Sequence, residues 1–371
     1  MIYIHIPFCG SFCTYCDFYS EVTGGRSYDG FVSSLCREIE AGKENIDKEA
    51  NTLYIGGGTP SVLPLSSFYS IGNILGKEFS EYTVEVNPED IVTKGRDYVR
   101  GLLDIGINRV SMGVQSFDDR MLKWMNRRHD SGAALEAFDI LRDAGVENIS
   151  IDLIFGIAHL DDNLWRSTVE KAVALRPQHI SAYQLSVESG SVLAGMVRSG
   201  KYSEAEESQC RRQYDVLCSM LSDAGYRHYE ISNFSIPGYE AKHNSAYWRH
   251  VPYRGFGPGA HSLDIVDGKY VRSWNIPDLK KYIAYYGTGV LSDIRQYEVL
   301  NEEQLAIEKI MLGLRTDSGV SHSILDKVSG RDRLEILIGK GMLVPVPDNP
   351  SSVRIPENCF FISDSIIADL V

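Results

Sequence analysis

Short apolar runs alternate with amphipathic segments of helical length along the first half of this chain. Five amphipathic segments, in which apolar residues recur at helical spacing, lie near residues 28–42, 65–76, 95–105, 132–144 and 163–175. Around them stand six strand-like runs at residues 2–6, 52–55, 82–86, 109–114, 149–154 and 179–186. Strands that alternate with helices of this length indicate βαβ units and a parallel sheet. The pattern therefore predicts an α/β fold, and both a partial six-unit barrel and a doubly wound open sheet fit it.

Polar or unusual residues recur at the carboxyl ends of these six runs. In chain order they are Cys9, Cys13 and Cys16, the glycine-rich residues 56–61, Glu85, Asn87, Gln115, Asp152, Gln184 and Glu188. In parallel α/β folds the chemistry gathers at the edge of the sheet where the strands end. Core packing does not explain such regularity, so we predict one site across this edge.

The second half of the chain has a different organisation. A helix is predicted near residues 203–224 and a strand at 226–231, followed by a loop-rich aromatic stretch to about residue 290. Helices near 302–314 and 331–341 and strands near 343–346 and 353–361 then indicate a small winged-helix-like α+β domain. We therefore divide the chain into 1–225 for the α/β unit, 226–290 for an extension of it and 291–371 for the C-terminal domain.

Cys9, Cys13 and Cys16 are separated by three and then two residues. Cysteine sulfur is the usual protein ligand of iron–sulfur clusters, and three ligands leave one iron of a four-iron cube open. Zinc is the alternative, but a structural zinc site needs a fourth ligand, and the nearby His5 lies in a predicted strand. Seven cysteines in 371 residues are too sparse for a disulfide framework. We predict a [4Fe–4S] cluster.

Composition narrows the class of partner. The formal net charge of −13 disfavours general nucleic-acid binding, which depends on neutralising phosphates. No apolar run approaches the roughly 20 residues of a transmembrane helix, and we expect no secretory signal because a strand begins at residue 2. A cluster of this kind and scattered free cysteines favour a reducing cytoplasm, which is the predicted location.

The remaining candidate residues suit a small polar ligand. Glycines 56–58 allow the backbone to approach a ligand closely, but the lysine of a phosphate-binding P-loop is missing. Glu85, Gln115, Arg127 and Asp152 could bind a ligand that carries ammonium, carboxylate and ribose groups. Taken singly, each of them is more often structural; together at strand ends they indicate a binding pocket.

The cysteine spacing CxxxCxxC resembles the signature of the radical S-adenosylmethionine (SAM) enzymes. In that superfamily the open iron binds the amino and carboxylate groups of SAM, and an electron from the cluster cleaves the sulfonium to a 5′-deoxyadenosyl radical. The resemblance extends to the oxygen-independent coproporphyrinogen III oxidase family and runs from Tyr3 to about Ser262. It rests on Tyr3-Ile-His-Ile-Pro-Phe-Cys9, Cys13-Thr-Tyr-Cys16, Gly56-Gly-Gly-Thr-Pro-Ser61, Glu85-Val-Asn-Pro88, Gly113-Val-Gln-Ser-Phe117, Asn126-Arg127 and Ile151-Asp-Leu-Ile154.

This resemblance implies a fold, cofactors and site residues. The fold would be a partial (β/α)6 radical SAM barrel over residues 1–225, and the cluster, bound by the three cysteines, would need an electron donor. The residues implied to contact SAM are Tyr3, Gly57, Gly58, Thr59, Glu85, Gln115, Arg127 and Asp152.

Two features indicate a branch of the family. The oxidases resemble CxxxCxxCxC, but Phe18 stands where their fourth cysteine would be. Conversely, His243-Asn-Ser-Ala-Tyr-Trp248 matches the HNxxYW motif of HemW, the haem-chaperone branch, and we place this motif in a loop of the 226–290 extension. The resemblance implies that the protein binds haem and delivers it to acceptor haemoproteins.

His243 is the candidate haem-binding residue, because histidine is a standard axial ligand of haem iron and aromatic residues pack against the macrocycle. The alternative role for His243 is that of a structural histidine with a backbone hydrogen bond. Two other functions stay open from sequence: an oxygen-independent coproporphyrinogen III oxidase, and a radical SAM methyltransferase acting on a tetrapyrrole.

Overall fold

A central parallel sheet organises the first half of the computed structural model, which describes residues 1–25, 27–47, 49–76, 78–289 and 294–371. Its first six strands are β1 (Ile2–Ile6), β2 (Thr52–Gly57), β3 (Glu81–Val86), β4 (Arg109–Gln115), β5 (Asn148–Phe155) and β6 (His179–Gln184). They lie side by side in chain order, and each pairs in parallel with the next. The α/β fold predicted from the apolar runs is confirmed.

Three further strands extend this sheet at its two edges. They are β7 (Arg227–Glu230), β8 (Asn233–Ser235) and β9 (Arg254–Phe256). Strand β9 pairs in parallel with β1, whereas β8 pairs antiparallel with β6 and β7 with β8. The strand order is β9-β1-β2-β3-β4-β5-β6-β8-β7, with no pairing between the two edge strands among the described residues. The sheet is therefore a partial barrel.

Helices follow the strands of the sheet as the periodicity predicts. The helices of the first half are α1 (Asp29–Gly42), α2 (Leu65–Leu75), α3 (Pro88–Asp104), α4 (Asp119–Trp124), α5 (Ser131–Ala144), α6 (Asp162–Leu175), α7 (Val192–Arg198) and α8 (Glu207–Asp223). Asp118, Asp130 and Asp161 start α4, α5 and α6, because each carboxylate accepts hydrogen bonds from backbone N–H groups of the first turn.

The two faces of the central sheet differ in chemistry. Side chains alternate between the faces of a strand, and Ile4, Ile55 and Val84 are fully buried in the main hydrophobic core. Their neighbours Tyr54 and Glu85 instead face the concave side and line a cavity. Burial of one face against the helices thus leaves the other face free to carry polar groups.

The structure corrects the prediction of a loop-rich stretch up to residue 290. The HNxxYW segment is not a loop: it forms α9 (Lys242–Trp248), and α10 (Leu279–Thr288) lies between the second and third strands of an antiparallel sheet. That sheet consists of β10 (His261–Val266), β11 (Lys269–Asn275) and β12 (Arg295–Val299). Seven-residue α9 is too short to show a helical period in sequence. The predicted boundary at 290/291 lies outside the described residues.

The C-terminal residues form the predicted winged-helix-like unit. Its elements are α11 (Glu302–Gly313), β13 (Val320–Ser321), α12 (His322–Leu325), α13 (Arg331–Gly339), β14 (Val344–Val346) and β15 (Asn349–Arg354), with the sheet order β13-β15-β14. The strand predicted at 353–361 is wrong beyond Arg354, because Glu357–Ile362 is a 3-10 helix that leads into α14 (Ser363–Ala368). Pro356 breaks the extended run, since it removes a backbone donor.

None of the helices in the described part of the chain has the length and apolar character needed to cross a membrane.

Candidate functional site

A cavity of about 530 Å³ opens at the carboxyl ends of the central strands. The strand-end positions that the sequence singled out meet there, as expected for a parallel sheet. Among the predicted site residues, those that line the cavity are Cys9, Cys13, Cys16, Gly57, Gly58, Thr59, Glu85, Gln115, Arg127 and Asp152. The structure therefore brings the predicted cluster cysteines and most of the predicted SAM contacts into one site.

The loop of residues 7–20, which carries Cys9, Cys13 and Cys16 and is called the cysteine loop below, is held from both sides. A two-residue strand pair, Phe8–Cys9 with Glu21–Val22, closes its base. At its far end Thr14 donates through its backbone N–H to the Met125 carbonyl oxygen (3.0 Å), and the Asn126 amide donates to the Phe12 carbonyl oxygen (2.6 Å). The loop is thus fastened to the segment that follows α4, which also carries Arg127.

The three thiols are free and half-buried, and two of them receive hydrogen bonds. Thr59 Oγ1 donates to Cys9 Sγ at 3.6 Å, and Arg127 Nη1 donates to Cys13 Sγ at 3.3 Å. Burial, together with the neighbouring Cys13 and Cys9, raises the pKa of Cys16 to about 11. Donors directed at sulfur favour a thiolate and therefore a metal ligand.

The surroundings of His5 argue against a closed zinc site, which needs a fourth ligand beside the three thiols. His5, the fourth ligand of the zinc alternative, has both ring nitrogens engaged, with the Tyr3 hydroxyl (3.0 Å) and the Tyr19 carbonyl oxygen (2.9 Å).

The glycine-rich loop after β2 packs directly on the cysteine loop. The backbone N–H groups of Gly58 and Thr59 donate to the carbonyl oxygens of Ile6 (2.8 Å) and Phe8 (2.6 Å). A Cβ atom at position 58 would lie 2.5 Å from the Phe8 oxygen, so only glycine fits there. No described group donates to the carbonyl oxygen of Gly58. The loop therefore offers a free acceptor beside the cysteines.

The carboxylates of two half-buried residues face the cavity. Glu85 accepts hydrogen bonds from the Tyr54 hydroxyl (2.7 Å) and the Gly57 N–H (3.1 Å), yet burial raises its pKa to about 7. Asp152 accepts a longer hydrogen bond from Ser111 (3.4 Å), and burial raises its pKa as well. A cationic ligand would neutralise the charge of these carboxylates, and a hydroxyl-bearing ligand would donate hydrogen bonds to them.

Arg127 and Gln115 form the side of the cavity opposite the glycine-rich loop. Arg127 Nη2 donates to the Gly113 carbonyl oxygen at 2.7 Å, while its buried Nε has no hydrogen-bond partner among the described residues. Gln115 ends β4 with a φ of 67°, a left-handed conformation that is uncommon for residues other than glycine. The strained turn directs β4 towards the Arg127 segment at the cavity.

Tyr3 and His243 are the two predicted site residues that do not line the cavity. His243 is buried in α9, where its ring nitrogens contact Thr52 Oγ1 (2.9 Å) and the Tyr247 hydroxyl (3.2 Å), and burial lowers its pKa to about 3. Its ring packs against Tyr54 at a centroid distance of 5.3 Å. The next residue, Asn244, does line the cavity, so α9 forms part of its floor.

Sequence reasoning missed several polar residues on the concave face of the sheet. The cavity is also lined by Tyr54, Arg109, Ser111, Ser181 and Tyr183. Arg109 is 2% exposed, and no group in the described part of the chain forms a hydrogen bond with its Nε. A polar residue at every second position of an otherwise apolar strand was the available signal, and it indicates a face that does not join the core.

Aromatic side chains are exposed at the cavity wall. Phe12 and Phe18 of the cysteine loop are 50% and 70% exposed, and Tyr183 at the end of β6 is 42% exposed. Exposed apolar groups clustered at a pocket mark a binding surface for a flat or apolar partner.

Comparison with known proteins first identifies the superfamily to which this chain belongs. The Radical SAM superfamily profile matches residues 3–172, which contain the cysteine loop, the glycine-rich loop and strands β1–β5. The solved structure of coproporphyrinogen III oxidase (HemN) from Escherichia coli has the same fold, with a TM-score of 0.79 at 20% identity, covering 100% of this chain and 89% of that one. Membership of this superfamily implies a [4Fe–4S] cluster and SAM as cofactors.

Curated relatives define the family. "Heme chaperone HemW" of Lactococcus lactis is 34% identical over 323 residues, 86% of this chain and 82% of its own. The protein of the same name in Bacillus subtilis is 33% identical over 336 residues, 89% of this chain and 86% of its own. The chain belongs to the HemW family of the radical SAM superfamily.

Proposed function

We propose that this protein is a cytoplasmic haem chaperone that holds a [4Fe–4S] cluster and SAM and delivers haem to acceptor haemoproteins. The observation that carries the proposal is family membership: relatives named heme chaperone HemW align over most of this chain. Phe18, which stands where the oxidases would have a fourth cysteine, supports the same choice.

The cluster would be bound by Cys9, Cys13 and Cys16. Their thiols line one cavity, and those of Cys9 and Cys13 receive hydrogen bonds from Thr59 and Arg127. The bound cluster would supply one electron for cleavage of a sulfonium, and an electron-donor protein would have to reach it. The exposed Phe18 side of the loop is the accessible approach.

SAM would occupy the cavity beside the cysteine loop. The free carbonyl oxygen of Gly58 suits an ammonium group, and the unpaired Nε of Arg127 suits a carboxylate. Glu85 and Asp152 would accept hydrogen bonds from ribose hydroxyls or pair with the cationic end of the ligand. Gly57, Thr59 and Gln115 would shape the walls, and Tyr3 would support the site from behind Tyr54, against which it stacks.

A Cys13→Ala variant tests the cluster. After anaerobic reconstitution it should lose the brown chromophore and most of its iron, because two thiolates do not hold a cube firmly. Cys36→Ala, which removes a half-buried thiol in α1, is the matched control and should keep both. Full iron content in Cys13→Ala would refute the assignment.

Haem is proposed to bind through His243 of the HNxxYW motif. Both ring nitrogens of His243 are engaged by Thr52 and Tyr247, so iron must displace one of these partners. Binding would therefore include a shift of α9, the floor of the cavity. This requirement makes Thr52 a useful control position.

The test is an anaerobic absorbance titration of the cluster-loaded protein with haem. We expect saturation near one haem per chain, at least tenfold weaker affinity in His243→Ala, and unchanged or tighter affinity in Thr52→Val, which frees the imidazole without removing it. Equal losses in both variants would mean that His243 is only structural. No haem binding in the wild type would refute the chaperone function, and turnover of coproporphyrinogen III would then be measured next.

A further inference from the structure

A second group of metal-binding side chains comes from the later part of the sequence, far from Cys9, Cys13 and Cys16. It lies where the sheet meets the C-terminal domain. It consists of Cys218 in α8, His228 in β7 and Glu357 at the start of the 3-10 helix. One ligand atom from each residue lies within 4.8 Å of the other two. None of these residues takes part in the proposed haem or SAM chemistry.

Two of the three ligand–ligand distances are close to those around one small divalent ion. Cys218 Sγ lies 4.0 Å from His228 Nδ1, and Glu357 Oε1 lies 3.0 Å from the same nitrogen. Ligand atoms around a tetrahedral zinc ion, with bonds of about 2.0–2.3 Å, are about 3.3–3.8 Å apart. Movement of the 58%-exposed Glu357 side chain would complete the geometry.

The surroundings of His228 direct Nδ1 towards this position. Its side chain is 3% exposed, stacked on Phe234 at a centroid distance of 4.0 Å and touched edge-on by Phe360. Packing on both sides fixes the ring plane. Rigid placement of a ligand by apolar packing is what a structural metal site requires.

The other ring nitrogen has the partner that a metal-bound histidine needs. Nε2 lies 3.4 Å from the Ile231 carbonyl oxygen, which can only accept a hydrogen bond. The Tyr214 hydroxyl, 3.5 Å from Nε2, lies 3.3 Å from the same oxygen and donates to it. With its proton on Nε2, the imidazole presents a lone pair at Nδ1 to the Glu357 carboxylate. In that tautomer two acceptors lie 3.0 Å apart, and a metal ion between them would satisfy both.

We infer that Cys218, His228 and Glu357 form a structural site for a zinc-type divalent cation that joins the barrel to the C-terminal domain. One thiolate, one imidazole and one carboxylate are the ligand types that zinc accepts, and the half-exposed edge leaves a fourth position for water. The ligands come from both parts of the chain, so the ion would stabilise their mutual placement.

The experiment uses the full chain with its cluster loaded. The protein is incubated with zinc chloride beside a weak chelator and desalted, and zinc and iron are then measured by mass spectrometry. We expect about one zinc per chain in the wild type, at least tenfold weaker zinc binding in Cys218→Ser, and a smaller loss in Glu357→Gln, with iron unchanged. Cys36→Ser and Glu335→Gln, which change a remote thiol and an exposed carboxylate, should behave as wild type.

The predicted cluster and the predicted zinc site can be tested independently of each other. Zinc should raise the melting temperature of the wild type but not that of Cys218→Ser, because binding to the folded state alone stabilises it. Wild-type zinc content in Cys218→Ser, or no zinc in any variant, would overturn the inference. Zinc that is lost in Cys13→Ala but kept in Cys218→Ser would place the metal on the cysteine loop and would equally refute it. Glu357 is exposed, so its variant stays informative if Cys218→Ser does not fold.

Discussion

At the scale of single residues, the surroundings of Glu85 favour ligand binding at the expense of the stability of the ligand-free protein. Its carboxyl is buried beneath the cavity, and burial raises its pKa to about 7, although Tyr54 and Gly57 donate to it. A raised carboxyl pKa means that the folded protein holds a proton that the unfolded chain has already released. A cationic ligand binds the ionised form of Glu85. Without the ligand, ionisation of this carboxyl group therefore destabilises the folded protein.

The raised pKa of Glu85 predicts the direction in which stability changes with pH. Between the unfolded value of 4.5 and about 7, the free energy of unfolding of the cluster-free protein should fall as pH rises, by at most about 3 kcal/mol from this group. Glu85→Gln removes the titration. The variant should gain stability relative to wild type from pH 5 to pH 8, measured by urea unfolding at both values, whereas the exposed Glu335→Gln should not. A constant difference between wild type and Glu85→Gln would contradict the raised pKa.

His243 marks the limit of motif-based inference at this scale. Its motif identified the family branch, but the fold buries its side chain between Thr52 and Tyr247, away from the cavity. Burial and hydrogen-bond partners of one side chain depend on residues that are distant in sequence. No local pattern could have shown that Thr52 lies against His243.

At the scale of elements, the glycine-rich loop and the cysteine loop act as one unit. Two backbone hydrogen bonds join them, and Gly58 permits the close approach. In Gly58→Ala the new Cβ would lie 2.5 Å from the Phe8 oxygen, a contact that real structures do not tolerate. The loops must separate and leave buried backbone groups without partners.

We expect Gly58→Ala to lower the free energy of unfolding by about 2 kcal/mol or more and to weaken SAM binding at least tenfold, measured by urea unfolding and calorimetric titration. Gly195→Ala in α7 is the matched control, because nothing lies within 4 Å of its added Cβ. Alanine is the better helix former, so the control should be neutral or up to about 1 kcal/mol more stable. Equal effects of the two substitutions would refute the role of the close approach.

Helices and strands with a clear periodicity of apolar residues could be predicted from the sequence, whereas very short elements could not. The six apolar runs became β1–β6 because each is flanked by turn residues and followed by a helical period. The three-residue β9 carries no such signal, and it is defined by its pairing with β1, more than 240 positions earlier in the chain. Of the site residues, those at the carboxyl ends of strands were predicted, whereas Arg109 at the start of β4 and Ser181 inside β6 were missed.

At the scale of the whole molecule, the C-terminal domain is attached to the barrel by both polar and apolar contacts. The polar contacts include backbone hydrogen bonds from Ile231 to the Arg315 oxygen and from Asp317 to the Tyr229 oxygen, and an ion pair between Arg227 and Asp317. The apolar contacts centre on Phe360, which is 2% exposed and packs on the ring of His228.

The apolar contacts should dominate the attachment. Arg227 is largely exposed, and solvent-exposed ion pairs contribute less than about 1 kcal/mol, so Asp317→Ala should change the urea midpoint only slightly. Truncating a buried phenylalanine costs about 3–5 kcal/mol, so Phe360→Ala should lower the midpoint markedly and expose the segment after residue 294 to limited proteolysis. A larger effect of Asp317→Ala than of Phe360→Ala would show that charge holds the domains together. The ranking follows from burial: Phe360 loses its packing entirely, whereas Arg227 keeps both water and Glu240 as partners.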